Sequence, residues 1–166
     1  MTIQKEIHNS LVMLANTINR LNDTTYRKNL ANFRWQSTGQ QVKQIIDMYK
    51  CLQLGYETGL VDYKRKPANL KIETDRELAK RHLYLAYTGI LNPEKALAVL
   101  ANYSPDTVSP GVFISSHQQE LAYLLEFTQH HMAIIKTRLE ATVSIILPQG
   151  FGKAAHKIAS GRLRQQ

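Results

Sequence analysis

The stretch SSHQQELAYLLEFTQHHMAII, residues 115–135, carries the clearest amphipathic pattern in the chain. Leu121, Leu125, Thr128, Met132 and Ile135 recur at spacings of four and three, and Leu139, Val143 and Ile146 continue the stripe. At about 100° per residue, that spacing stacks them on one side of a helix. Working outward, Ile3, Ile7, Leu11, Leu14, Ile18 and Leu21 repeat the pattern near the N-terminus, after which Asn22, Asp23 and Thr24 supply cap and turn chemistry. A second helix is expected to start at Ser37 or Thr38, to carry Val42, Ile45, Ile46, Tyr49, Gln53 and Tyr56 around one side, and to stop at Gly59. Residues 61–72, VDYKRKPANLKI, read as a polar connection, because Pro67 lacks the N–H that a continuing helix needs. A third helix is expected over Glu73 to Thr88. Between Gly89 and Pro110, the prolines at 93, 105 and 110 leave room for either a short helix near 94–97 or an extended piece near 97–103. Four long helices with no repeated strand–helix unit predict an all-α fold. The expected architecture is one domain over 1–166, an antiparallel four-helix bundle with a short helix or tail after Pro148, Gly150 and Gly152.

Composition narrows the function. A hydrophobic content of 43% over 166 residues suits one substantial core. No apolar run is long enough to span a bilayer and no leader pattern stands at the start, so a cytoplasmic protein is expected. Cys51 is the single cysteine, which excludes an internal disulfide and a CxxC pair, and its helical setting makes it a structural thiol. The net charge of +8 is partly local: Lys153, Lys157, Arg162 and Arg164 follow Glu140 with no further acid. Aromatic residues do not interleave with that cluster, so specific nucleic-acid binding is not expected.

Histidine supplies most of the remaining candidate chemistry. His130 and His131 are adjacent and therefore point about 100° apart, which does not suit chelation of one ion. His131 lies beside the apolar stripe and His130 almost opposite it. His117 and Glu120, three residues apart, are expected to share a face. His82 falls at the core edge of the third helix, while His8 and His156 sit near the chain ends without a pattern. Asp47 lies inside the second helix, Asp62 is placed to bond the loop backbone, and Glu73 and Asp75 are placed to favour the positive end of the following helix. The chain has no HExxH helix, phosphate loop or serine nucleophile elbow, and Gly-Phe-Gly at 150–152 is too short to define a phosphate cradle.

Four blocks in order, STGQQVKQIIDMY at 37–49, GLVDYKRKPANLKIETD at 59–75, SSHQQELAYLLEFTQHHMAII at 115–135 and GFGKAAHKI at 150–158, resemble the DinB-like superfamily. The resemblance implies a four-helix bundle, a homodimer and, in many members, a divalent metal held by three histidines. One of these comes from the second helix and two, four residues apart, from the last long helix. Metal-dependent thiol transfer and maleylpyruvate isomerisation are among the family's activities. The matching positions here are Gln41, Phe127 and His131. An amide oxygen is a weak ligand for a borderline metal and a phenyl ring has no donor atom, so the three-histidine centre is expected to be absent. Phe127 is expected to fill part of the cavity instead. The resulting expectation is a metal-independent binding or interaction module, with a homodimer and a small-molecule ligand as partners and no cofactor. The alternative is a metal-dependent thiol transferase or hydrolase with zinc or nickel relocated among His82, His117, His130, His131, Asp47 and Glu120.

Overall fold

The computed structural model describes residues 2–29, 36–101 and 111–153. The first helix, α1 (Ile3–Arg20), is capped by Thr2, whose hydroxyl accepts from the Lys5 amide, and it buries the predicted stripe Ile7, Leu11, Leu14 and Ile18. A single turn and a half, α2 (Asp23–Arg27), follows behind an Asn22 cap and buries Tyr26. The next helix, α3 (Thr38–Thr58), opens with a capping box: Ser37 Oγ accepts from the Gln40 amide while Gln40 Oε1 accepts from the Ser37 amide. It ends at Gly59 in the left-handed region, as its sequence predicts.

Beyond Gly59 the chain departs from the expected pattern. A two-residue strand, β1 (Leu60–Val61), leads into the polar connection and a 3-10 turn at Leu70–Glu73. The helix expected from Glu73 begins three residues later as α4 (Arg76–Thr88), because Asp75 is its cap and accepts from the Leu78 amide at 3.0 Å. Residues Ala96–Ala101 then form β2 and Gly111–Ser116 form β3. β2 lies between the other two strands, parallel to β1 with Val61 beside Val99, and antiparallel to β3 with Ala98 beside Ile114. The last helix, α5 (His117–Thr142), starts directly from β3 with Ser116 as its cap.

The all-α four-helix bundle is therefore corrected to a mixed α/β fold. Four long helices do pack on one another, α1 against α4 and α5, and α3 against the same two. A three-stranded sheet is added to them, and of the two alternatives left open between Gly89 and Pro110 the extended piece is the one found, as the strand ALAVLA at 96–101. Its alternation buries Leu97 and Val99 in the core shared with Ile45, Leu52, Leu83 and Leu121. Burial of such side chains stabilises the fold by roughly 1.5–3 kcal/mol each.

Two glycines permit close backbone approaches. A Cβ at Gly39 would meet the Glu73 carbonyl oxygen at 2.0 Å, so only glycine lets α3 begin against the 3-10 turn. Gly152 has φ +69°, and a Cβ there would meet the Ala133 backbone at 2.7 Å. Gly-Phe-Gly is thus a plug: it turns the chain back onto α5 and buries Phe151 in the core. The predicted C-terminal helix or tail beyond 153, with His156, Lys157, Arg162 and Arg164, lies outside the described residues. Among those described, no helix is long and apolar enough to cross a membrane.

Candidate functional site

Gln41 stands on the first turn of α3 and His131 in the middle of α5, and both are buried. His131 Nδ1 lies 2.6 Å from Gln41 Oε1. An amide oxygen only accepts, so Nδ1 carries the proton and Nε2 is left as the basic nitrogen of the ring. The Gln41 amide nitrogen in turn donates to Gln36 Oε1. Phe127, one turn before His131 on α5, packs its ring at 4.2 Å from the imidazole with a 39° tilt. The three positions matched to a ligand set, Gln41, Phe127 and His131, thus converge on one another across 90 residues of sequence.

The environment keeps the imidazole neutral. Burial lowers the His131 pKa from its ordinary value to about 4, with the neighbouring positive charge of His130 and then Lys66 acting in the same direction. His130 is exposed, with its ring edge-on to His131 at 5.3 Å. A buried polar pair, Tyr49 Oη and Thr128 Oγ1 at 3.0 Å, also bridges α3 to α5.

Further along α5 the aromatic row continues. Tyr123 lies one turn before Phe127 with ring centres 6.4 Å apart, and Tyr63 from the polar connection meets Tyr123 edge-on at 5.5 Å. The Tyr63 hydroxyl donates to Glu120 Oε2 at 2.6 Å, and the Ser115 hydroxyl donates to Glu120 Oε1, also at 2.6 Å. Two hydroxyl donors thus hold a buried carboxylate. Burial, followed by the Glu120 hydrogen bond and charge, pushes the Tyr63 hydroxyl well above its usual range, so it remains a donor.

His117 and Glu120 do not form the expected shared pair. His117 turns its ring edge to Tyr56 at 4.9 Å, while Glu120 goes to Tyr63 and Ser115. His82 is half-buried on α4, His8 packs on Tyr87 at 4.2 Å, and Asp47 is buried in an ion pair with Lys43. Asp62 accepts from the Lys64 amide at 3.0 Å, the loop role read from its position. Asp75 caps α4, but Glu73 belongs to the preceding 3-10 turn. Cys51 is buried, and its thiol contacts the Arg65 carbonyl oxygen at 3.6 Å. Burial, then the charge of Asp47, pushes that thiol's pKa up.

No protein-family model matches the chain, and neither a curated protein nor a solved structure matches it. The question of a metal centre therefore rests on the donor set. Phe127 offers no donor, the Gln41 carbonyl oxygen already accepts from His131, and only His131 Nε2 remains as a nitrogen ligand. These three residues do not fit a three-nitrogen centre. Among the described residues, no three His, Cys, Asp or Glu side chains gather as a set that could hold a metal ion, the relocated candidates included.

Sequence reasoning missed Gln36, Tyr63 and Ser115. Tyr63 and Gln36 sit in connecting segments, where periodicity carries no information. One signal was present: Glu120 precedes Leu121 at the edge of the apolar stripe, and a carboxylate there needs donors from elsewhere in the chain.

Proposed function

We propose that this chain is a degenerate DinB-like protein, a metal-independent binding module in which a hydrogen-bonded amide and a phenyl ring replace the ligands of a cation. The contact between His131 Nδ1 and Gln41 Oε1 carries this reading. It turns the two polar groups toward each other, and Phe127 covers the ring face. Further support comes from where the matched positions lie: two elements distant in sequence, α3 and α5, bring all three together.

Restoring the missing ligands tests the proposal. The double variant Gln41→His with Phe127→His gains tight, stoichiometric zinc or nickel in a calorimetric titration, and His131→Ala in that background removes it. The parent chain takes up neither metal stoichiometrically. Metal co-purifying with the parent chain and lost on His131→Ala would overturn the reading.

The resemblance also carries homodimerisation. The sequence of β3 offers an uncharged outer strand with Val112, Phe113 and Ile114 exposed, which suits contact with a second copy. Light scattering across a concentration series returns a dimer mass on this reading; a persistent monomer removes it.

A further inference from the structure

Residues 62–71, DYKRKPANLK, carry four cationic side chains and one carboxylate, and that carboxylate, Asp62, accepts from the Lys64 amide at 3.0 Å. Tyr63 fastens the segment to α5: its hydroxyl donates to Glu120 Oε2, and its ring stands edge-on to Tyr123. Three residues later, Lys66 lies near enough to α3 and α5 that its charge acts on Cys51 of the one and His131 of the other. The connection is therefore a basic strap across two long helices, beside the row of rings Tyr63, Tyr123 and Phe127.

Two properties of this strap favour a polyanion that also carries flat rings. Lys64, Arg65 and Lys66 are all exposed, and among the described residues none of their side chains makes an ion pair or a hydrogen bond. Their charge is free to meet phosphates and to release the counterions that phosphates hold. Within the row of rings, Tyr123 is 46% exposed, with Tyr63 at 5.5 Å and Phe127 at 6.4 Å behind it. A ring already packed on its inner side loses little further freedom when a base stacks on its outer side. Glu126, the exposed carboxylate one turn from Tyr123, faces three cations from the strap. Cations and rings thus interleave here, as they do not among the basic residues that follow Glu140.

We infer that the strap and the Tyr123 ring together form a surface for single-stranded nucleic acid, held without regard to base sequence. Lys64, Arg65 and Lys66 meet the phosphates, and a base stacks on Tyr123. A duplex does not suit this surface, because its bases are already stacked on one another, and an anionic lipid surface answers the charge but offers no planar ring. The inference does not depend on the Gln41–His131 hydrogen bond, so it stands or falls apart from the function proposed above.

The test is fluorescence anisotropy of labelled oligo(dT) and oligo(U), each of about ten nucleotides, titrated with the full chain at low salt. Saturable binding is expected, and the logarithm of its constant falls against the logarithm of salt with a slope of about −2, from three cations at roughly 0.7 each. Tyr123→Ala weakens binding about tenfold, yet leaves unchanged the binding of an abasic oligomer that carries the same charge without the rings. Lys64→Gln, Arg65→Gln and Lys66→Gln combined abolish saturable binding, while Lys157→Gln, Arg162→Gln and Arg164→Gln combined leave it in place. Each variant is checked for parental melting. Tighter binding of oligo(U) assigns contacts to the 2′-hydroxyl, and equal binding assigns a backbone held through phosphate alone. Absence of saturable binding, unchanged affinity in a folded Tyr123→Ala protein, or binding lost with the C-terminal cations and kept without the strap cations overturns the inference. Tighter binding to phosphatidylserine vesicles than to either oligomer overturns it as well.

Discussion

His131 Nδ1–H donates to Gln41 Oε1 at 2.6 Å, and this hydrogen bond ties the middle of α5 to the first turn of α3. The ring holds this one proton and no second, because burial and then the nearby charges of His130 and Lys66 oppose protonation at Nε2.

Stability is therefore expected to fall in acid. The folded-state pKa of about 4 lies below the ordinary 6.5, so the unfolded chain takes up a proton at His131 that the folded chain refuses. The contribution is fully present above pH 6.5, is lost progressively as pH falls toward 4, and changes no further below that. Its ceiling is ~3 kcal/mol. His82 and His117, also lowered by burial, act with the same sign. Urea unfolding at pH 7, 5.5 and 4.5 measures the slope, and His131→Gln should flatten it.

The Glu120 pair gives a second measurement. Tyr63→Phe removes one of two hydroxyl donors to a buried carboxylate and is expected to destabilise the fold by about 1.5–3 kcal/mol. Glu120→Gln presents an amide N–H to a hydroxyl that formerly donated, so part of the loss returns when the two changes are combined. Denaturant midpoints for the four proteins of this cycle report the coupling, and strict additivity would show that the pair contributes nothing jointly.

Gly39→Ala should be severe. Its Cβ would overlap a backbone carbonyl that belongs to the 3-10 turn, and no side chain can rotate away to make room. A loss of about 3 kcal/mol is expected, read as a lowered melting temperature. Alanine at the exposed helix position Gln118 serves as the control and changes little.

Cys51 should resist alkylation. The thiol is buried and its pKa is raised, so iodoacetamide at pH 7.5 is expected to label the native chain at least about a hundredfold more slowly than the urea-unfolded chain. Similar rates in the two states would mean that the loop at Arg65 opens readily.

The helices were legible because burial and capping leave marks at fixed spacing. Ser37 with Gln40, and Gly59, define both ends of α3, and the stripe of α1 is buried as read. The sheet was not. ALAVLA is a short apolar run whose residues also favour helix, and only pairing with segments distant in sequence makes it a strand. β3 gives no alternating signal, since Gly111 to Ile114 are all exposed, and its end abuts the helix stripe. Of the site, Gln41, Phe127 and His131 were singled out in the sequence, and the structure brings their side chains together. The Tyr63–Glu120 bond joins a loop to a helix 57 residues away, and no local spacing encodes that.

Ser116 is both the last residue of β3 and the cap of α5, so strand and helix share one residue with no slack between them. The sheet therefore sets the phase of the helix like a key in a shaft. An extra residue inserted after Ser116 would turn everything downstream by roughly 100° and pass the place of His131 to His130. Strand pairing at one end of the molecule thereby decides which imidazole meets Gln41, roughly 22 Å further along the axis.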